Sequence, residues 1–353
     1  MRRPWLGPML CAVLGLAACG ADPPDPPKAL PPLGAKWRGM TEAGYNPQVF
    51  SGKDVTGELA RMQSDGVDWL AIQVAWFQQT NSSTDIAPSP KKTPTDASVR
   101  ALIALAHSRG MRVFLNPFVN SLEGSGWQAE FHPNSVPAWF QSFDAYIAHY
   151  AKLAQDTGAD LLAIGDEFDT LDTVPAYRSY WLKAIATARQ YYKGPITYGA
   201  DYPNYQQVTF WDAVDDVGVD AYFPLSQAAD PTTAELEAAW QQEAQAIQAW
   251  RTSTGLAGKG FVITELGYPS EVTAASQPGT WFPNQPVNLA LQQRCYAATL
   301  TTIYAEPWVK GIFWFWWANP SNPNWQGGPQ DNGYTPRGKP AESTLRQYLT
   351  AGA

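Results

Sequence analysis

The sequence predicts an α/β protein folded as a (β/α)8 barrel, the TIM-barrel architecture, on three observations. Eight short segments rich in apolar, β-branched and aromatic residues recur along the chain. Longer segments with apolar residues at spacings of three and four lie between them, as amphipathic helices require. Eight parallel strands joined by helical crossovers are the number that closes a barrel. An open doubly wound sheet is the alternative, but no glycine-rich phosphate loop follows the first predicted strand.

The predicted strands are nearly continuous in apolarity. This pattern is typical of parallel strands, because a barrel strand has helices on one face and the barrel interior on the other. We therefore expect eight βα units of about 35–40 residues each. The strands are predicted at 37–41, 67–74, 111–116, 160–165, 195–200, 217–223, 260–264 and 310–316.

The predicted helices have one apolar stripe each. The clearest spans 136–156, where Pro137 suits the first helical turn because its missing N–H needs no partner there. The full set is 54–64, 96–108, 136–156, 174–192, 233–252, 288–305 and 340–349.

The first 18 residues have the features of a signal peptide. Arg2 and Arg3 precede an apolar run over 5–16, which is shorter than the roughly 20 residues that a membrane span needs. The segment from Leu16 to Gly20, with Cys19 in its fourth position, resembles a bacterial lipobox. That resemblance implies cleavage before Cys19, lipidation of its thiol and a membrane anchor. Ordinary signal cleavage near the same place is the alternative.

A proline-rich tether is predicted over 19–35. Six prolines occur between residues 20 and 36, which disfavours a helix and favours an extended chain. The remaining 36–353 has no second linker of this kind and is predicted to be one catalytic domain. We expect an exported lipoprotein of the cell envelope, at the outer membrane or the cell surface.

Composition excludes several classes of function. The net charge of −8 and the lack of a basic patch argue against a nucleic-acid partner. The three histidines lack metal-ligand spacing, and no metal or organic cofactor is expected. The chain has 16 Trp and 16 Tyr, which fits either a large core or a cleft where aromatic rings pack on sugars.

Two glutamates are the candidate catalytic residues. Glu167 follows the apolar run of the fourth predicted strand, and Glu265 follows that of the seventh. Because active sites of (β/α)8 barrels lie at the carboxyl ends of the strands, both side chains are expected in one mouth. Glycoside hydrolysis requires such a pair of carboxyl groups. The alternative is that each glutamate is a loop carboxylate paired with Lys or Arg.

Ten short segments together resemble glycoside hydrolase clan A and, within it, family 113, whose characterised members are mainly β-1,4-mannanases. The resemblance implies a (β/α)8 barrel, Glu167 as acid/base, Glu265 as nucleophile and retention of anomeric configuration. The segments are GMT at 39–41, WLAIQVAW at 69–76, WFQSF at 139–143, GAD at 158–160, IGDE at 164–167, FWD at 210–212, GVDAYFP at 218–224, TELGY at 264–268, FWFWW at 313–317 and GYTPRGKP at 333–340.

The chain departs from the family pattern at two points. Clan A often has Asn before the acid/base, where it binds the substrate's 2-hydroxyl, and this chain has Asp166. An Asp there can still accept from the hydroxyl, but its charge would raise the pKa of Glu167. The third predicted strand ends with Asn116-Pro117-Phe118, whereas the family pattern has a run of the Lys-Pro-His type there. This difference implies a changed contact with the substrate.

Further polar residues near strand ends are candidates for substrate binding. Asn116 ends the third predicted strand, Tyr198 lies late in the fifth, and Tyr222 ends the sixth. Tyr222 is expected to bond the Glu265 carboxylate and keep it ionised. A core position with a satisfied hydroxyl is the alternative for Tyr222.

Four tryptophans are candidate sugar platforms. Trp314 and Trp316 are two apart in the eighth predicted strand and are expected on one face, where one of them would contact the sugar at the cleaved position. Trp76 follows the second strand, and Trp325 lies in the polar loop after the eighth. Core packing or a plain surface position is the alternative for each.

The resulting functional expectation is a retaining glycoside hydrolase. Its partner would be a β-linked polysaccharide or oligosaccharide such as β-1,4-mannan, cut in endo or exo fashion. One alternative is a retaining hydrolase of another β-glycan. The other is a catalytically silent carbohydrate-binding lipoprotein.

Overall fold

Eight parallel strands form a closed barrel in the computed structural model, which describes residues 35–52, 54–124, 126–280, 282–317 and 326–351. Each strand pairs with the next in sequence, and β8 pairs with β1. The predicted (β/α)8 class is confirmed. The strands are β1 (Trp37–Ala43), β2 (Trp69–Gln78), β3 (Arg112–Ser121), β4 (Leu161–Asp166), β5 (Ile196–Asp201), β6 (Asp216–Asp220), β7 (Gly260–Leu266) and β8 (Val309–Trp314).

The N-terminal predictions fall outside this structure. Residues 1–18, Cys19 and the predicted tether up to residue 34 are outside the described ranges. The signal peptide, the lipid anchor and the tether therefore stay predictions.

Helices cover the outside of the barrel. Within the described ranges, no helix combines the length and the apolarity needed to cross a bilayer. The α-helices are α1 (Val55–Ser64), α2 (Asp96–Ser108), α3 (Val136–Thr157), the single turn α4 (Asp169–Asp172), α5 (Arg178–Tyr191), α6 (Thr233–Ser253), α7 (Leu289–Thr301) and α8 (Pro340–Thr350).

The connection from β5 to β6 differs from the expected βα unit. Residues 202–215 are all described, and they contain the 3-10 turns Tyr205–Gln207 and Trp211–Ala213 in place of an α-helix. Only 14 residues separate Asp201 from Asp216, and Pro203 near the start disfavours a helix in that short span. The barrel thus closes with one non-helical crossover.

Local sequence fixes the ends of the long helices. At α6, Thr232 Oγ1 accepts from Glu235 N, and the Glu235 carboxylate accepts from Thr232 N, which is a complete capping box. At α3, Pro137 lies in the first turn, and Gly158 ends the helix with φ +70°, a conformation that glycine adopts without strain. These ends place the strand that follows each helix.

The barrel interior is apolar at the amino ends of the strands and polar at the carboxyl ends. Trp37 and Trp69 stack with ring centroids 4.4 Å apart and close the amino end together with Phe114 and Phe313. Buried polar side chains, including Gln73, occur further along the strands. This division leaves the carboxyl end of the barrel for polar chemistry.

Candidate active site

Glu167 lies immediately after β4, at the carboxyl end of the barrel. Its backbone has φ +47°, in the left-handed region that non-glycine residues rarely adopt, and its N–H donates to Gly199 O at 2.7 Å. Trp127 Nε1 donates to Glu167 Oε2 at 2.7 Å. The backbone bond to β5 and the indole bond hold this carboxyl group in place.

Glu265 lies near the end of β7 and is 6% exposed. Gln73 Nε2 donates to its Oε1, and Tyr222 Oη donates to its Oε2 at 3.0 Å. One donor therefore comes from β2, which is not adjacent to β7, and the other from just after the neighbouring strand β6. Hydrogen bonds of this kind favour the ionised carboxylate.

The surroundings of the two glutamates favour different protonation states. Burial, followed by the negative charges of Asp201, Asp166 and Glu265, holds the pKa of Glu167 well above its usual range. Burial and Asp166 also raise the pKa of Glu265, but its hydrogen bonds from Tyr222 and Gln73 oppose the rise. Within the described ranges Glu265 has two side-chain donors and Glu167 has one, so we expect the pair to lose its first proton from Glu265. The arrangement then holds one carboxylate and one carboxylic acid in one mouth.

Three aspartates extend this acidic cluster. Asp166 ends β4, Asp201 ends β5, and Asp220 ends β6, and all three side chains are buried. In the part of the chain that the structure describes, none of these aspartates, nor Glu167 or Glu265, forms an ion pair with Lys or Arg. The mouth is therefore acidic without a compensating cation from these residues.

A metal ion is the first group to test against this cluster. Carboxylate oxygens of Asp166, Asp220 and Glu265 lie within 4.8 Å of one another, close enough to share a cation. Both oxygens of Glu265 already accept from donors, so a cation on that residue would compete with Gln73 or Tyr222. The cluster thus offers only Asp166 and Asp220 oxygens free of competing donors.

Asn116 lies inside β3, which continues to Ser121, so it does not end the strand as expected, and its role in substrate binding stays a prediction. It is 1% exposed, and its side-chain amide lowers the pKa of the Asp166 carboxyl group. Gln128 Nε2 donates to Asp166 Oδ2 at 3.1 Å. These donors oppose the effect of burial, which raises the pKa of Asp166 to about 6.

Three of the predicted binding residues lie on the outer face of the barrel. Trp76 packs against α3, with its ring 5.0 Å from that of His149. Tyr198 donates to Asp172 Oδ2 at 2.6 Å and accepts from a backbone N–H, so its hydroxyl is fully engaged there. Trp314 stacks on Tyr296 of α7 at 4.2 Å. The expectation that these three face the substrate is wrong, because alternation along each strand turns them toward the helices.

Trp316 and Tyr222 lie at the mouth in one cluster with Phe315 and Tyr334. Trp316 stacks on Phe315 with centroids 4.4 Å apart and is 2% exposed. The expected shared face with Trp314 is not observed, because β8 ends at Trp314 and strand alternation does not continue to Trp316. A sugar contact for Trp316 stays a prediction, and Trp325 lies outside the described residues.

Several residues of the mouth were missed at the level of sequence. Asp201 and Asp220 end their strands just as the two glutamates do, so the same rule would have selected them. Gln73 is two residues after the inward-facing Ala71 in β2, and residues two apart in a strand share a face. Trp127 lies in an irregular loop, where no periodic signal exists.

Tyr45 also reaches the site from the loop after β1. Burial, followed by the charges of Glu265 and Asp166, raises the pKa of its hydroxyl. Its ring packs edge-on against Phe118 of β3, with centroids 6.2 Å apart. The mouth therefore has an aromatic wall beside the nucleophile candidate.

A closed parallel barrel with a glutamate pair of unequal environment at its carboxyl end defines a glycoside hydrolase. Its substrate is a polysaccharide or an oligosaccharide. The chain belongs to glycoside hydrolase family 113, whose model matches residues 40–339, well over half of its length.

Solved structures give the same result. The β-mannanase AaManA of Alicyclobacillus acidocaldarius, from family 113 and in complex with ManMIm, is 26% identical with a TM-score of 0.79, covering 90% of this chain and 98% of that one. A second family 113 β-1,4-mannanase structure has the same identity and TM-score and covers 90% and 99%. The β-glucuronidase of Ruminococcus gnavus, at 12% identity, TM-score 0.61 and coverage of 89% and 50%, shares the fold alone. No curated protein matches the sequence.

Proposed function

We propose that this protein is a retaining hydrolase of β-1,4-linked mannan, with Glu265 as nucleophile and Glu167 as general acid/base. The observation that carries the proposal is the unequal hydrogen bonding of the two glutamates. Among the described residues, Glu265 accepts from Gln73 and Tyr222, and Glu167 accepts from Trp127. A nucleophile must be ionised and an acid must hold a proton, and this difference favours that division.

The proposed reaction has two balanced steps. In the first, a Glu265 oxygen forms a bond to the anomeric carbon while the bond from that carbon to the leaving oxygen breaks. Glu167 gives its proton to the leaving oxygen. In the second step, Glu167 takes a proton from water, the water oxygen bonds to the anomeric carbon, and Glu265 leaves as a carboxylate. Two inversions at one carbon give retention.

The choice of mannan is supported by the family 113 structures, which are described as β-mannanases and β-1,4-mannanases. Purified residues 36–353 would be assayed on β-mannan, glucan and xylan, and the anomeric form of the first product would be followed by proton NMR. We expect release from mannan with the β-anomer first. Stronger release from another β-glycan would keep the mechanism and change the substrate, and binding without release from any polymer would leave a carbohydrate-binding role.

The roles of the glutamates are tested by three variants. Glu265→Gln should abolish turnover, because the amide cannot form the glycosyl ester. Glu167→Gln should lose much more activity on substrates with poor leaving groups than on those with good ones, which need no proton. Glu237→Gln, on the outer helix α6, is the matched control and should behave as wild type. Equal losses on both substrate types for Glu167→Gln would contradict the acid role.

We also propose that Cys19 carries a lipid that anchors the exported enzyme at the cell envelope. The support is the lipobox-like segment and the proline-rich tether that follows it. Metabolic labelling with a palmitate analogue should mark the wild-type protein and not Cys19→Ala. Labelling of both, or release of unlabelled wild type into the medium, would contradict the anchor.

A further inference from the structure

Asp166 and Asp220 lie side by side over Gly199 in the layer below the catalytic glutamates. Asp220 is fully buried and Asp166 is 3% exposed. A Cβ on Gly199 would clash with Asp166 Oδ1 and lie 2.9 Å from Asp220 Oδ2. Only glycine leaves room at this position of β5, so the two carboxyl groups meet in the space that its missing side chain provides.

One carboxylate oxygen of Asp166 and one of Asp220 lie within 4.8 Å of each other. An ionised carboxylate has no donor, so a bond between two carboxyl groups requires a proton on one of them. The outer oxygens already have other donors, because Gln128 donates to Asp166 Oδ2 and Thr264 donates to Asp220 Oδ1 at 2.7 Å. Among the described residues, no donor hydrogen-bonds Asp166 Oδ1 or Asp220 Oδ2. One proton between them completes the hydrogen bonding of the pair.

We propose that Asp166 and Asp220 share one proton and act as a single monoanionic positioning pair for the catalytic glutamates. This inference rests on the proposed function of the site. Asp166 is covalently next to Glu167, and its charge acts on Glu265. A shared proton lets the chain keep an acid at this position without a second negative charge beside the nucleophile.

The surroundings of the pair explain why a proton is the compensating charge. The acidic groups that act on the pair are Glu167 just after β4, Asp201 at the end of β5 and Glu265 near the end of β7. Tyr45 and Tyr146 face Asp166, and burial keeps both hydroxyls neutral. No Lys or Arg in the described part of the chain pairs with either aspartate. Two full charges in this buried cluster would be costly.

Asparagine substitutions test how many negative charges the Asp166–Asp220 pair carries. In Asp166→Asn or Asp220→Asn, the new amide N–H donates to the remaining carboxylate, which replaces the shared proton and keeps one negative charge. In the double variant, the pair becomes neutral. We therefore expect both limbs of the pH profile of kcat/KM to stay within about half a unit for each single variant. Both limbs should move to lower pH by about one unit or more for the double variant.

Other outcomes overturn the proposal. A similar downward shift in each single variant would mean that the wild-type pair carries two charges. Unshifted limbs in the double variant would mean that the pair only packs. Inactivation by EDTA with recovery on added Ca²⁺ would mean that a cation, not a proton, joins the carboxyl groups.

A second measurement does not depend on turnover. Infrared difference spectra of the wild-type protein at neutral pH should contain the C=O stretching band of one protonated carboxyl group. This band should disappear in each single variant and persist in Glu237→Gln. Absence of that band in wild type would reject the shared proton even if the enzyme hydrolyses mannan. If the band is present but the protein hydrolyses no glycan, the shared proton is supported and the proposed function is rejected.

Discussion

The Tyr222 hydroxyl donates a 3.0 Å hydrogen bond to Oε2 of Glu265, which ties the end of β6 to the candidate nucleophile on β7. Tyr222→Phe removes this donor, and of the described side chains Gln73 still donates to the carboxylate. Because a hydrogen bond to a charged group contributes about 1.5–3 kcal/mol, kcat/KM should fall roughly 10- to 100-fold. The acidic limb of the profile should move to higher pH, because the pKa of Glu265 rises.

Tyr334→Phe is the matched control for this change. Tyr334 belongs to the same aromatic cluster, but its hydroxyl donates to the backbone oxygens of Pro278 and Thr280. Its loss should reduce stability without moving the acidic limb. Equal shifts in the two variants would argue against a specific role for the Tyr222 bond.

Trp127 is expected to contribute to the site in two ways that can be measured separately, through the pKa of Glu167 and through contact with sugar. Its indole N–H donates to Glu167, and its side chain is among the exposed large hydrophobic residues at 43%. Trp127→Phe keeps a ring and removes the donor, so the pKa of Glu167 should rise and the alkaline limb should move to higher pH. Trp127→Ala should add a rise in KM for polymers if the exposed ring contacts sugar. Identical KM values for the two variants would reject that contact.

Tyr198 is expected to support folding and not substrate binding. Its hydroxyl donates to Asp172 and accepts from Phe168 N, and both partners lose their bond in Tyr198→Phe. The free energy of unfolding in urea should fall by about 1–3 kcal/mol, with KM unchanged. A large rise in KM at normal stability would restore the original sequence expectation for this residue.

The acidic cluster predicts a protein that is more stable at pH 5 than at pH 8. Burial raises the pKa of Asp172 to about 7, and burial together with Asp169 raises that of Asp201 to about 8. A carboxyl group whose folded pKa exceeds its unfolded value stabilises the fold below the unfolded pKa, and this contribution is lost as pH rises through the folded one. Each unit of difference is about 1.4 kcal/mol.

Thermal unfolding from pH 5 to pH 8 measures this effect. The Tm should fall across the range, and Asp201→Asn should reduce the slope because it removes a buried acid whose pKa is raised to about 8. A constant or rising Tm in wild type would contradict buried acids of raised pKa.

Apolar segments and their spacing were sufficient to predict the barrel and the position of Glu167 and Glu265 at strand ends. Side-chain direction was the harder problem. Gln73 and Trp76 are three residues apart in β2, and since Gln73 faces inward, Trp76 must face the helices. Unless one residue of a strand is known to face inward, the sequence does not show which residues face the barrel interior and which face the helices. Irregular register between β6 and β7 adds a further uncertainty of one residue near Glu265.

Contacts that depend on loops could not be predicted in the same way. Trp127 and Gln128 lie between β3 and α3, and their approach to Glu167 and Asp166 follows from a loop conformation without periodicity. The pairing of Asp166 with Asp220 requires Gly199 on the strand between them. The three residues lie on three different strands, so no local sequence pattern predicts that they meet.

The described chain begins and ends at the closed end of the barrel. β1 starts there at Trp37, and Arg38 Nη1 donates to Leu349 O of α8 at 2.8 Å, which fixes the last helix beside the first strand. Parallel strands put the glutamates at the far end. Coupling the purified domain to a bead or to a second protein through either terminus therefore leaves the cleft facing the bulk liquid, where a long polymer chain can enter it from any direction.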